Sequence, residues 1–371
     1  MAVAGVDSLY CTRLSFDILR PGSTHAPGLA TLPRSLPMSV RAPRSPVIDG
    51  LVYLSDGNPA PLRAGGVTAA NITVTHMFWD LEATFVGMGE WHRIVDAQDS
   101  GWRLVRTAAD ILAAQSEGTT GLIMGWQSLR PIGTELERVR AFHALGLRIA
   151  QLTYNEASAA GDGCLEERGG GLTRFGRRVI PEMNKVGVGI DLSHCCDRTA
   201  FEAARTSEKP VFLTHANAKA VNDRVRNKLD DTIRAVADTG GVIGVSIHGF
   251  MNWDGNHDHP PTLDNFVRHA RHVADLVGVE HVGIGTDFSA VQNAEYAQSI
   301  LEMSKGSYPE TGGVFAAAFG NASDGRYPRE TPTPREFPRI LEALASAGFS
   351  ASEVEAIGGG NFLRAFGQVW G

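Results

Sequence analysis

From Pro46 onward the chain alternates short apolar runs with helical stretches, and this alternation leaves few folds open to it. Eight runs read as strands: 47–52, 67–74, 121–126, 147–153, 188–192, 210–213, 242–247 and 282–286. They are apolar almost throughout rather than at every second residue, the pattern of parallel strands covered by helices. Helical periodicity fills the gaps. Phe175, Val179, Ile180, Met183 and Val186 recur on one face, with Thr173 placed to cap and Gly187 to stop. Phe266, Ala270, Val273 and Val277 do the same before Gly278, and Ser350-Ala351-Ser352-Glu353 is a capping box that opens a short C-terminal helix.

Strands and helices in this order form either a closed barrel or an open doubly wound sheet. No Gly-rich phosphate loop follows the first strand, which removes the main support for a dinucleotide-binding sheet. The expected fold is therefore α/β, a (β/α)8 TIM barrel over residues 46–371, and 371 residues suits such a barrel with insertions. Residues 1–45 read as a Pro- and Arg-rich extension. Residues 304–335 form a long Gly/Pro-rich loop after the eighth strand, at the end where barrels place their active sites.

Composition narrows the partners. A net charge of −7 without basic clusters argues against nucleic acid. No run reaches the roughly 18 apolar residues of a membrane span, and the N-terminus lacks the order of a secretory signal. Cys11, Cys164, Cys195 and Cys196 suggest no disulfide framework, so a reducing, cytoplasmic location is expected.

Three polar residues close apolar runs: His194 after Asp191-Leu192-Ser193, His215 after Leu213-Thr214, and Asp287 after Gly285-Thr286. In a barrel such strand ends converge on one mouth. Two imidazoles and a carboxylate there can bind zinc, activate water and accept its proton. Singly, each is as often a structural residue; together they argue for a site. His76 ends the second run and is a candidate substrate contact. His257-Asp258-His259 has ligand spacing, but Gly255 and Pro260-Pro261 mark an exposed turn. His269 and His272 read as solvent-facing, Trp79, Trp91, Trp102 and Trp126 as packing, and Cys195 and Cys196 as packing in the turn in preference to thiolate ligands.

Several longer segments carry a resemblance. Gly170-Gly171-Leu172-Thr173-Arg174-Phe175-Gly176, Glu182-Met183-Asn184-Lys185-Val186-Gly187 and Asp191-Leu192-Ser193-His194 resemble, in order and spacing, the central signature of the membrane (renal) dipeptidase family of the amidohydrolase superfamily. Pro210 to Ala216 resembles its second histidine strand and Arg226-Asn227-Lys228-Leu229-Asp230-Asp231 its substrate-carboxylate loop. Gly283 to Phe288 resembles its aspartate strand and Gly359 to Arg364 its closing motif. The resemblance implies a binuclear zinc enzyme acting on dipeptides, and it suggests a homodimer. His194 and His215 would bind one zinc, Arg226 with Asn227 would hold the substrate carboxylate, and Asp287 would be the general base.

The chain departs from that pattern at four positions. Leu51 and Tyr53 stand where the family's first strand ends in a His-x-Asp pair. Gln127 stands in place of a bridging glutamate, and a neutral amide binds zinc weakly and cannot bridge two cations. Tyr154 replaces a histidine that polarises the scissile carbonyl, although its hydroxyl can still donate to an oxyanion. One zinc per chain is therefore expected, on His194 and His215 with Gln127, Asp287 or water completing the set. The function expected is a hydrolase cleaving an amide or similar C–N bond in a small carboxylated, dipeptide-like substrate. A metal-dependent lyase or isomerase on the same site, and a catalytically silent scaffold, are the alternatives.

Overall fold

The apolar runs become strands that pair, all parallel, in the order β1 (Ile48–Tyr53), β2 (Ala69–Thr73), β4 (Thr120–Trp126), β5 (Leu147–Gln151), β6 (Gly189–Asp191), β7 (Val211–Leu213), β8 (Val242–Val245) and β9 (Val282–Ile284). β9 pairs with β8. Its continuation β10 (Phe288–Ser289), beyond a break at residues 285–287, pairs with β1 through Val52 and Phe288. The last strand thus touches both neighbours and returns the sheet to its beginning, as a (β/α)8 barrel requires. Each of the eight expected runs overlaps a barrel strand. β3 (Trp102–Leu104) lies outside those runs; it adds to the N-terminal half of β4, through Trp102 opposite Thr120. The computed structural model describes residues 45–54, 56–253, 259, 261–289 and 326–371. The extension up to residue 44, His257, Asp258 and the long loop up to residue 325 lie outside the described residues.

The helices used below are α1 (Leu81–Val95), α2 (Gly176–Val186), α3 (Asp197–Thr206), α4 (Asp230–Asp238), α5 (Leu263–Val277) and α6 (Asn361–Trp370). α2 begins where the Thr173 hydroxyl accepts from the Gly176 amide at 3.0 Å, and it stops at Gly187, whose φ of 90° suits glycine. The Ser350 capping box forms as expected, Ser350 N donating to Glu353 Oε2 at 2.7 Å and Glu353 N to Ser350 Oγ at 3.3 Å.

One helix decides which end of the barrel is free for chemistry. α6 packs Phe362 and Phe366 beneath the starts of the strands, against Ile48, Ala69, Phe212 and Val242, all fully buried. Each such phenylalanine contributes roughly 1.5–3 kcal/mol of burial. With that end plugged, the opposite end, where the strands finish, is left for the site. Among the described residues no helix is long and apolar enough to cross a membrane.

His269 requires a correction. It lies on the apolar face of α5 with Phe266 and Ala270, is 1% exposed, and its Nδ1 accepts from the Ala218 amide at 3.2 Å. His272 is half-buried, with Nε2 2.8 Å from Asp230 Oδ1 on α4.

Candidate metal centre and active site

His194 and His215, on the segments that follow β6 and β7, turn their rings toward each other with Nε2 atoms 3.0 Å apart. The far side of each ring is anchored. His194 Nδ1 lies 2.6 Å from Asn155 Oδ1, an oxygen that can only accept, so the ring proton sits on Nδ1. His215 Nδ1 lies 2.9 Å from Thr214 Oγ1. That hydroxyl already donates its one proton to Asp191 Oδ2 at 2.6 Å, so it accepts from His215. Both Nε2 atoms are therefore left with bare lone pairs facing one another. Burial, and after it the charge of Arg226, holds both imidazoles well below their ordinary pKa, which keeps them neutral.

Two facing lone pairs repel unless a cation lies between them. Two imidazoles on one tetrahedral zinc stand about 3.3 Å apart, close to what is seen here. The pair fits a single metal ion. Among the described residues no group of three or more His, Cys, Asp or Glu side chains could hold one, so the remaining ligands would be other donors, water or substrate.

His215 reaches this point because β7 ends against a surface without side chains. A Cβ on Gly50, Gly244 or Gly285 would lie 2.4, 2.1 or 1.8 Å from the Thr214 carbonyl oxygen. Three neighbouring segments thus give up a side chain where β7 crosses toward the barrel centre.

Asp287 occupies the break between β9 and β10 with φ of 58°, a left-handed conformation seldom adopted by a side-chain-bearing residue. Its amide donates to the Leu51 carbonyl at 3.0 Å, and its own carbonyl accepts from the Tyr327 hydroxyl at 2.7 Å. Burial raises its pKa to about 6, against the pull of Arg326 and Arg226. Tyr154 lies on the face of His194, ring centroids 4.2 Å apart and planes at 27°. Burial, reinforced by Asp287, pushes its hydroxyl above the ordinary tyrosine range, so it stays protonated. Arg226 is buried, donates from Nη1 to the Ser193 carbonyl, and sits within electrostatic reach of His194, His215, Tyr154 and Asp287.

The other expected site residues are placed less centrally. Gln127, just past β4, donates its amide nitrogen to Thr73 Oγ1 at 2.9 Å, so the amide oxygen is the atom a cation could use. Asn227 gives its amide nitrogen to the Asn222 and Met251 carbonyls and thereby holds the loop that carries Arg226. His76 is half-buried beside Phe78 and Trp79, and Phe78 meets Tyr154 edge-on at 5.7 Å. Burial lowers the pKa of His76. Cys195 is a packing residue, fully buried and with its thiol pushed up to about 12 by burial, and Cys196 caps α3.

The structure also brings in residues that the sequence did not single out. His248, beyond β8, is felt electrostatically by both His194 and His215, and its ring meets Tyr327 edge-on at 5.9 Å. Applied to the run 242–247, the rule that found His194 and His215 points to His248 as well. Arg326 and Tyr327 flank Asp287 from the far side of the long loop, and no local pattern marks them. Lys228 is fully buried and donates to the Cys195 carbonyl, while Arg226 donates to that of Ser193, so the two cations bracket His194.

A (β/α)8 barrel with a neutral histidine pair, a buried strained aspartate and a buried arginine at the C-terminal ends of its strands defines a metallohydrolase-type centre. Comparison with known proteins narrows the class. The model of the membrane dipeptidase family, peptidase family M19, matches residues 60–302, and the chain belongs to that family. A dipeptidase of Claviceps purpurea, tcpJ, is 26% identical over 289 residues, covering 77% of this chain; the chain spans 60% of that relative's length. An amidohydrolase from Pseudomonas aeruginosa superposes with a TM-score of 0.75 and 29% identity, covering 89% of this chain and 98% of that one. A metallopeptidase from Rhodobacter sphaeroides, solved with a phosphinate mimic of the dipeptide L-Ala-D-Ala, shares the fold with a TM-score of 0.69 and 19% identity, covering 88% and 99% of the two chains.

Proposed function

We propose that this chain is a metal-dependent hydrolase, with one zinc held by His194 and His215, that cleaves the amide bond of a small dipeptide-like substrate bearing a free carboxylate. The observation that carries this reading is the pair of bare, neutral Nε2 atoms 3.0 Å apart, each fixed from behind by Asn155 or Thr214. Membership of the dipeptidase family, and the dipeptide mimic bound by the Rhodobacter relative, support the choice of substrate.

Zinc bound there would supply Lewis acidity and bring the pKa of a bound water to about 7. The protein's own groups have separate tasks. Asp287, buried and ionising at about 6, accepts the proton of the attacking water near neutral pH. Arg226 has donors left beyond the one on Ser193, and its planar fork suits the substrate carboxylate. Tyr154, kept protonated, donates to the oxyanion that develops on the scissile carbonyl.

The test is zinc-loaded protein incubated with a panel of dipeptides and N-acyl amino acids, with release of free amino acid measured. Turnover should appear and fall by at least about 100-fold in Asp287→Asn, with zinc content unchanged. No release from any member of the panel would overturn the hydrolase reading.

A further inference from the structure

Two buried carboxylates that no expected role accounts for share three matching bonds at two places around the mouth. Asp191, at the end of β6, accepts from the Ser193 amide, two residues on, at 3.0 Å. It also accepts from Thr214 N at 3.1 Å and Thr214 Oγ1 at 2.6 Å, just past the end of β7, and Thr214 precedes His215. Asp49, in β1, accepts from the Leu51 amide, again two residues on, at 3.2 Å. It accepts from Thr286 N at 2.9 Å and Thr286 Oγ1 at 2.6 Å, and Thr286 precedes Asp287. Both carboxylates are 0% exposed. In each case one oxygen takes two backbone amides and the other takes a threonine hydroxyl, which fixes the direction of that hydroxyl's proton; at Asp191 the first oxygen also accepts the Ser193 hydroxyl at 2.6 Å, for which Leu51 offers no counterpart.

We propose that Asp191 and Asp49 are a duplicated pair of positioning residues: Asp191 sets the tautomer of His215 through Thr214, and Asp49 holds Asp287 in its left-handed conformation through Thr286. The consequences differ because the clamped groups differ. With the Thr214 proton directed at Asp191, Oγ1 can only accept, so His215 must carry its proton on Nδ1 and offer Nε2. An asparagine at 191 keeps the oxygen that serves Ser193 and Thr214 N but turns an NH2 toward Thr214 Oγ1. The threonine proton then points at His215 Nδ1, and the imidazole proton moves to Nε2, where it blocks ligation. At the other clamp no imidazole follows, so the same substitution there leaves the tautomers alone and alters only the presentation of Asp287.

The experiment is a long-range 15N–1H spectrum of histidine in the metal-free protein, with the His215 signals assigned from His215→Gln, followed by zinc titration of each variant. Wild type should show His215 protonated at Nδ1. Asp191→Asn should shift it to the Nε2–H form and weaken zinc binding at least tenfold, whereas Asp49→Asn should leave both unchanged. Thr214→Val serves as the second variant if Asp191→Asn does not fold, and should release His215 from a single tautomer. The kinetic arm rests on the hydrolase reading: Asp49→Asn should lower kcat with KM and zinc content preserved. The tautomer arm does not rest on it and is read without substrate. A His215 that stays Nδ1–H in Asp191→Asn and Thr214→Val overturns the role of Asp191. A kcat unchanged in Asp49→Asn, with turnover established for wild type, overturns that of Asp49.

Discussion

Tyr154 lies on His194 with ring centroids 4.2 Å apart, and the adjacent Asn155 holds the same imidazole through Nδ1 at 2.6 Å. Two consecutive residues after β5 thus fix one ring, one by its face and one by its edge. Tyr154→Phe keeps the stacking and removes only the hydroxyl. It should leave zinc affinity within about twofold and lower kcat by about 10²–10³, the usual effect of losing one oxyanion donor. Were zinc affinity to fall instead, Tyr154 would be acting on the metal and not on the substrate.

Asp287 predicts a pH dependence. A general base that ionises at about 6 is active only once deprotonated, so kcat/KM should rise tenfold per pH unit below 6 and level off above it. A rate that falls on raising pH through this window would assign Asp287 the role of an acid.

The same shift bears on stability. Because burial raises Asp287 from 3.8 to about 6, the folded protein favours its neutral form, and that contribution is lost as pH rises through the interval up to 6. The shift amounts to up to roughly 3 kcal/mol at about 1.4 kcal/mol per pH unit. Metal-free Asp287→Asn should therefore melt higher than wild type at pH 7.5, although the zinc-loaded variant loses turnover, a trade common at functional sites. Equal melting temperatures would mean that the ionised carboxylate is already compensated.

Arg226→Ala should raise KM for a carboxylated dipeptide by roughly tenfold or more, since hydrogen bonds to charged groups are worth about 1.5–3 kcal/mol. Amidated dipeptides should not feel the change. Equal effects on both substrates would reduce Arg226 to its bond with Ser193.

Gly285→Ala would place a Cβ 1.8 Å from the Thr214 carbonyl, so the end of β7 must move. Zinc affinity should drop with His215 intact in sequence, read by titration, and the melting temperature should fall as well.

The barrel is legible in the sequence because parallel, helix-covered strands leave unmistakable apolar runs, and because His194, His215 and Asp287 each close one. His248 follows the same rule but stands just past the run 242–247, where glycine and aromatic residues resemble a loop. His269 escapes a reading that weighs its polarity above its position, three residues from Phe266 on the face that packs inward. Asn155, Arg326 and Tyr327 meet the site only through tertiary folding, from loops without a period to read. The duplicated clamp is hidden for another reason: Asp49 and Asp191 look like ordinary strand residues until the hydroxyls opposite them are seen.

The most direct test of the metal centre is the zinc content of the purified protein, by elemental analysis after dialysis, for wild type and His194→Ala. One zinc per chain in the wild type, lost in His194→Ala, is the predicted result. No zinc in the wild type even after adding it back, or zinc retained in His194→Ala, would contradict a centre built on His194 and His215.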